Sequence, residues 1–513
     1  MVPARIALTK GQIYQDGDVR ATDAKGDLPL RIVKAPALAG QPIEPQLFIP
    51  GRETSGDVTL NYSARVTDAN SPRPRGPSYD LRGTEGGFGG SFFSFLPLPL
   101  EQRGAADIKV TWDFSRVGSG AEAASTRGPG DLAARISPDE LRQAFFLAGR
   151  LEKFRSGANP LFSAYWIGTP PFDARARSEW TGRSLTVLQQ FFRDREARPY
   201  TLLMRPFPLP RDGGGAARGG FMLEYGFGKL GDASRQIMFT HEMIHHFVGS
   251  LEGDSSALAW YGEGLAEYYK TRLPYRAGML TLREVADETS FMTNAYYTSP
   301  LVAASYDEVS RNRWAGGAAQ GVPYNRGFIY FVDLNAKIVK ASGGARSLDH
   351  LVLAMLERKH AGQSYDIAAW REMLRAELGD AGPRDLEAML AGQLIIPPDD
   401  AFGPCLHRVE VATFRQDLGF SEDSILVHPR VVAGLDPASH AARSGLREGD
   451  AIVSVSGATE RIAHSAANLL LAPKVSLVVK REGTTKKISF STRVGEITEY
   501  RWKTGKSSSQ CSI

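Results

Sequence analysis

Three of the nine histidines in this 513-residue chain fall within six positions, in "FTHEMIHHFVGS" (239–250). His241-Glu242-Met243-Ile244-His245 has the form HExxH. On a helix, residues four apart share one face, so the rings of His241 and His245 can reach one cation. Glu242 lies beside the first histidine on the adjoining stripe, where it can hold a water next to the metal rather than ligate it. The surroundings suit a helix: Asp232 or Ser234 can cap it, and Ile237, Met238, Ile244 and Val248 form an apolar stripe. His246 points about 100° away from the ligand face and is not a ligand.

Five residues of this kind also arise by accident, and ordinary helical histidines would give the same string. Catalytic zinc needs three protein ligands and an open fourth position. Glu263, 18 positions after His245 in "WYGEGLAEYY" (260–269), supplies the third. Gly262 and Gly264 flank it and let its helix approach the first closely. Glu267 falls four residues later on the same face. There it can accept a hydrogen bond from a ligand histidine's other nitrogen and fix its tautomer. Two imidazoles and one carboxylate suit Zn2+, one ion per chain.

The elements that must position these residues follow from periodicity. Up to about residue 115, "LPLRIVKA", "VTLNYSARV" and "DIKVTWDFS" read as strands between Gly-, Pro- and Asp-rich turns, which predicts a β-sandwich over 1–134. "GTEGGFGGSFFSF" (83–95) lacks the ending of a phosphate loop and reads as a loop or bulge. From "SPDELRQAFFLAGRL" onward the pattern is helical, with Ser137 and Glu140 forming a capping box. Further helical patterns occur at "TGRSLTVLQQFFRDR", "DASRQIMFTHEMIHHFV", "SSALAWYGEGLAEYYKTRL", "RGFIYFVDLNAKIVKA", "LDHLVLAMLERKH" and "AAWREMLRAEL". They define a mainly helical domain over 135–395, with strand-like "PYTLLMRPF" and "GGFMLEYGF" just upstream of the histidine helix. After the joint "IIPPDDAFGP" comes a smaller β-rich module over 405–495, and 496–513 reads as a basic, solvated tail. The whole is a multidomain α+β chain.

Composition agrees with a globular protein: 42% hydrophobic and 23% charged residues. A formal charge of +4 over this length argues against nucleic acid as a partner. No apolar run approaches the ~18 residues of a membrane span. The start "MVPARIALTKGQIYQDGD" lacks the apolar core of a signal peptide. It fits a periplasmic or secreted protein whose signal has been removed, with a cytoplasmic protein as the alternative. Cys405 and Cys511 flank the small module; they are either a disulfide, which needs an oxidising compartment, or two unrelated thiols.

HExxH followed by a Gly-Glu-Gly segment resembles the gluzincin metallopeptidases. "WYGEGLAEYY" is similar in particular to the glycyl aminopeptidases, metallopeptidase family sixty-one. That resemblance implies an N-terminal β-domain, a thermolysin-like catalytic domain and a C-terminal PDZ domain. In "VPYNRGFIYF" it implies that Tyr324 donates a hydrogen bond to the reaction oxyanion, with Arg326 in place of the usual lysine. In "GGFMLEYGF" it implies that Gly219 and Gly220 open an edge strand for substrate backbone and that Glu224 holds the substrate's free amino group. "DLGFSEDSILVHPRVVAGLDPASHAARSGLREGDAIVSVSG" resembles a PDZ domain, with Leu418, Gly419 and Phe420 as its carboxylate-binding loop and Asp417 where that loop usually begins with glycine. The implied activity is a zinc aminopeptidase acting on peptides, with small N-terminal residues such as Gly or Ala preferred. Two alternatives stand beside it: a zinc endopeptidase whose PDZ domain selects protein C-termini, and a catalytically silent PDZ scaffold. No GxSxG nucleophile elbow competes.

Overall fold

The structure is a computed structural model that describes residues 1–6, 9–36, 43–71, 78–99, 104–196, 198–208, 212–226, 232–314, 317–426, 429–461 and 468–505. Two compact units emerge, residues 1–182 with 196–229, and residues 183–195 with 230–513. The architecture is multidomain α+β, with a β-rich N-terminal unit and a second unit dominated by helices.

The first unit is β-rich and runs past residue 134. Its early sheets pair Val2–Ile6 with Ile43–Pro50 and Val19–Asp23 with Thr59–Tyr62. A five-stranded antiparallel sheet then places Phe145–Gly149 between Glu122–Ser125 and Gly87–Ser91. Two expectations fail in this sheet. The capping box of Ser137 and Glu140 forms, but helix α1 (Pro138–Arg142) stops after five residues. "FFLAG" instead becomes a central strand buried on both faces, a case in which an apolar run does not distinguish strand from helix. The glycine-rich 83–95 segment is likewise no simple loop. It contributes the strands Arg82–Thr84 and Gly87–Ser91; a Cβ at Gly89 would lie 2.5 Å from the Leu147 side chain of the next strand, and one at Gly90 2.6 Å from the Asp80 carbonyl oxygen. A last five-stranded sheet runs Glu152–Arg155, Phe162–Trp166, Tyr200–Pro206, Gly220–Tyr225, Gly213–Ala217, with its three middle strands parallel. Helix α2 (Ala174–Phe191) makes the crossover between the first two of those parallel strands.

The helices of the second unit are α3 (Asp232–Phe247), α4 (Ala259–Arg276), α5 (Leu282–Tyr297), α6 (Tyr306–Arg311), α7 (Gly317–Ala341), α8 (Leu348–His360), α9 (Ile367–Leu378) and α10 (Ala381–Leu390). Its core is aromatic: Trp260, Tyr261, Phe331 and Trp370 are all fully buried and meet edge to face or tilted. Helix α4 sits at the centre, against α3, α5 and α7. No helix among the described residues is long and apolar enough to cross a membrane.

The C-terminal module of this unit has a three-stranded sheet, Ala451–Arg461, Asn468–Arg481 and Thr484–Ser491, and two short helices, α11 (Asp423–Leu426) and α12 (His440–Arg443). Residues 496–504 are not a tail. They belong to the strand Arg493–Thr504, which pairs antiparallel with Leu406–Gln416 along almost its whole length. Trp502 is fully buried and packs edge-on against Phe402, 5.4 Å between centroids. The Cys405 side chain and Cys511 lie outside the described residues. Trp502→Ala should therefore cost about 3–5 kcal/mol of stability, whereas truncating a solvated side chain would cost almost nothing. Denaturant unfolding followed by fluorescence or circular dichroism checks this.

Candidate metal centre

Three helices bring the candidate residues together, and glycines set their spacing. Helix α3 carries His241, Glu242 and His245; α4 carries Glu263 and Glu267; α7 carries Tyr324. A Cβ on Gly262 would lie 2.9 Å from the carbonyl oxygen of Gly249, just beyond the end of α3. A Cβ on Gly264 would lie 2.6 Å from the Cα of Gly327, and one on Gly327 2.5 Å from the carbonyl oxygen of Trp260. Gly262 thus serves the approach to α3, as the sequence suggests, while Gly264 serves the approach to α7.

The donor atoms converge. His241 Nε2 and His245 Nε2 are 3.1 Å apart, and each lies 3.4 or 3.3 Å from Glu263 Oε2. A tetrahedral ion with bonds of ~2.0–2.1 Å holds its ligand atoms roughly 3.3 Å apart. The three atoms already stand at the corners of such a face, so the residues fit zinc. Among the described residues they form the group of His, Cys, Asp and Glu with metal-ligand spacing.

Charge points the same way. His241 Nδ1 lies 2.9 Å from Glu267 Oε1. Glu267 in turn pairs with Lys270, and the Lys270 Nζ is 2.7 Å from Glu288 Oε1 on α5. Arg313 lies 3.4 Å from Glu263 Oε1. With both histidines neutral, as ligation requires, this linked set with Glu242 holds four carboxylates against two cations, a deficit of two positive charges that one divalent ion would make good. Burial pushes the His241 pKa down, but Glu263 and Glu267 outweigh it and raise it to about 10. Burial likewise raises Glu263, yet the two histidines hold its carboxyl well below the usual range. The cluster therefore favours positive charge where the ligand atoms meet.

Glu242 is nearly inaccessible at 5% exposure. Burial pushes its pKa up, His241 and His245 pull it back, and Glu263 and Glu267 add to the rise. A carboxylate raised in this way accepts a proton and releases it again. The Tyr324 ring stacks on His241, 5.7 Å between centroids at 19°. Arg326, the basic residue after it, is buried and donates to the carbonyls of Leu301 and Val302, so its role is to hold that loop. His246 is not among the converging donors; its ring meets Phe247 edge-on.

With this geometry in place, known structures give the context. The fold is similar to that of the aminopeptidase N family. A family member from Idiomarina loihiensis superposes with a TM-score of 0.66 over 97% of this chain and 92% of its own, at 14% identity. An M1 zinc metallopeptidase from Deinococcus radiodurans matches at 15% identity with a TM-score of 0.47, covering 75% of this chain and 85% of its own. Yeast LTA4 hydrolase in complex with bestatin matches at 14% identity and 0.44, covering 76% and 64%. No protein-family model and no curated protein sequence matches the chain.

The remaining candidates have local explanations. Glu224 is 1% exposed; its carboxylate accepts from Arg205 at 2.6 and 3.0 Å and from Ser78 Oγ at 2.8 Å. Arg205 also binds Asp80, at 2.9 Å, so the expected amine-holding carboxylate is one member of a buried ion network in the first unit. Gly219 has φ +84° at the hairpin before its strand, and a Cβ on Gly220 would lie 2.1 Å from the Thr201 carbonyl oxygen, so both glycines are required by their own sheet. In the C-terminal module Leu418 and Phe420 are core residues, beside Val475 and Phe490. The Gly419 N–H donates to Asp417 Oδ1 at 2.8 Å. The Gly419 amide is therefore already used within the chain, and short helix α11 follows the loop.

Two groups in the network escape a motif search. Lys270 continues the face of Glu263 and Glu267 at seven residues' spacing, a signal the sequence does contain. Arg313 lies fifty residues from Glu263 with no periodic relation to it. Burial pushes the Lys270 pKa down, but Glu267 and Glu288 more than compensate, so it stays an ammonium. Lys270→Met would strand two carboxylates without their cation and should cost about 3–5 kcal/mol. A thermal or denaturant melt of the metal-loaded protein tests this; an unchanged midpoint would show that the ion pair contributes nothing.

Proposed function

We propose that this chain is a zinc-dependent peptidase of aminopeptidase type, which hydrolyses peptide bonds by water attack. The observation that carries the reading is the 3.1–3.4 Å triangle of His241, His245 and Glu263 donor atoms, with Glu242 and Tyr324 beside it. Bound zinc would supply Lewis acidity at the scissile carbonyl and at water in its open position. Glu242 takes the proton from the attacking water as the oxygen–carbon bond forms, then delivers it to the amine as the carbon–nitrogen bond breaks. Tyr324 donates a hydrogen bond to the carbonyl oxygen as that atom gains negative charge. Glu267, 2.9 Å from His241 Nδ1, favours the proton on that nitrogen and so leaves the Nε2 lone pair for the ligand triangle.

The aminopeptidase N-type fold supports removal of N-terminal residues, and the resemblance to glycyl aminopeptidases suggests small ones such as Gly or Ala. One observation favours a second reading: the charge of Glu224 is matched by Arg205, so it lacks a surplus charge for a substrate ammonium. An endopeptidase would need none. For the C-terminal module, the internal use of the Gly419 amide supports a docked structural part over a binder of protein C-termini.

Paired peptides with free and acetylated N-termini separate the two enzymatic readings, since an aminopeptidase cleaves only the free ones. Glu242→Gln should leave zinc stoichiometry intact and lower kcat by about two to four orders of magnitude. His241→Ala should lose both zinc and activity. Full activity in Glu242→Gln, or a wild-type chain without stoichiometric zinc, would sink the mechanism.

A further inference from the structure

Arg313 stands in the turn between α6 and α7, and its side chain is 14% exposed. Its guanidinium is 3.4 Å from Glu263 Oε1, while the other oxygen of that carboxylate, Oε2, faces both histidine nitrogens. The same guanidinium faces the Tyr324 side chain. The Trp314 ring lies 5.5 Å from it and helps fix its plane. One side chain therefore touches a ligand and the residue stacked on another ligand.

We propose that Arg313 is a positioning residue that restricts Glu263 to one-oxygen ligation and directs the Tyr324 hydroxyl proton toward the reacting carbonyl. This rests on the zinc-peptidase reading above. A carboxylate with both oxygens available can chelate an ion and fill the position that water or substrate needs. A guanidinium N–H on Oε1 occupies that oxygen with a charge-assisted bond and leaves Oε2 for the metal. Toward Tyr324 the logic is complementary. Guanidinium has donors and no acceptor, so its bond must go to the phenol oxygen. The phenol O–H is then left to donate elsewhere, and a cation on its oxygen strengthens that donation. Lysine cannot reproduce this, because a single ammonium lacks the planar fork that serves two partners in fixed directions.

The test compares wild type with Arg313→Met and Arg313→Lys as full-length chains, loaded with Zn2+ for affinity and kinetics and with Co2+ for visible absorption. Four-coordinate cobalt absorbs much more strongly than five- or six-coordinate cobalt, so two-oxygen binding by Glu263 would weaken the band. Arg313→Met should hold zinc at least as tightly as wild type, lose cobalt band intensity, and lose kcat with little change in KM. Arg313→Lys, which restores the charge without the fork, should recover kcat only in part. A wild-type cobalt spectrum and wild-type kcat in Arg313→Met would overturn the inference. Should Arg313→Met fail to fold, Arg313→Lys decides: an altered band with reduced kcat supports the role, and wild-type values for both overturn it. A wild-type chain that binds neither ion would overturn the zinc-peptidase reading and this inference with it, a result distinguishable from failure of the variants alone.

Discussion

Helix α4 has to pass within backbone contact of two neighbours, and most of the second unit follows from that demand. Side chains can bridge gaps of variable length, but the ligand triangle tolerates only a few tenths of an ångström. The glycine pair Gly264 and Gly327 removes the side chains that would otherwise keep α4 and α7 apart. Gly262 does the same against the carbonyl beyond α3. Because these contacts are backbone on backbone, they cannot relax by a rotamer change. Around them the aromatic core of Trp260, Tyr261, Phe331 and Trp370 fills the volume that the close helices leave. Rigid glycine contacts on two faces of α4, with large rings packed beside them, fix the angle at which Glu263 reaches the histidines.

The same packing forces an electrostatic problem. Four carboxylates near one another in a buried site repel, and burial disfavours each charge further. Lys270 and Arg313 offset part of this, and each is placed where it also orients a carboxylate. Lys270 lies between Glu267 and Glu288, so Glu267 stays ionised beside His241. Arg313 occupies the Glu263 oxygen that faces away from the histidine nitrogens. Neither cation completes the compensation. The two negative charges left over make divalent ion binding favourable on charge as well as on geometry, which a pair of histidines on an ordinary helix would not achieve.

How much of this was legible in the sequence depends on the range of the interaction. Local signals are legible: the α3 and α4 helical patterns, the Ser137 capping box, and α8, whose bounds match the periodic segment "LDHLVLAMLERKH". Failures came where tertiary context overrides local pattern. "FFLAG" is helical only if its neighbours are ignored; two flanking strands make it the centre of a sheet. The 496–504 stretch looks like a solvated basic tail because most of its charged residues are exposed, while Glu499 and Trp502, on opposite faces of the strand, are fully buried. Arg313 was invisible for a different reason. A residue that reaches a site from a turn leaves no periodicity, and only the fold brings it within range.

Helix α5 explains why a C-terminal strand so far along the chain bears on the catalytic region. Glu288 and Met292, four residues apart, both meet Lys270 and so belong to the face toward α4. Ser290, Asn294 and Tyr297 follow a different stripe. Ser290 donates to the Trp502 carbonyl, Asn294 binds Glu499, and the Tyr297 ring meets Tyr500 at 5.2 Å. One face of α5 thus supports the carboxylate that anchors Lys270, and the other face is clamped by the strand Arg493–Thr504. Glu288 holds its position only as firmly as α5 is held, and the strand supplies the contacts on the face that the other helices do not cover. The support of His241 therefore runs from Glu267 through Lys270 and α5 to the final strand, which gives the C-terminal module a structural function whether or not it binds a peptide.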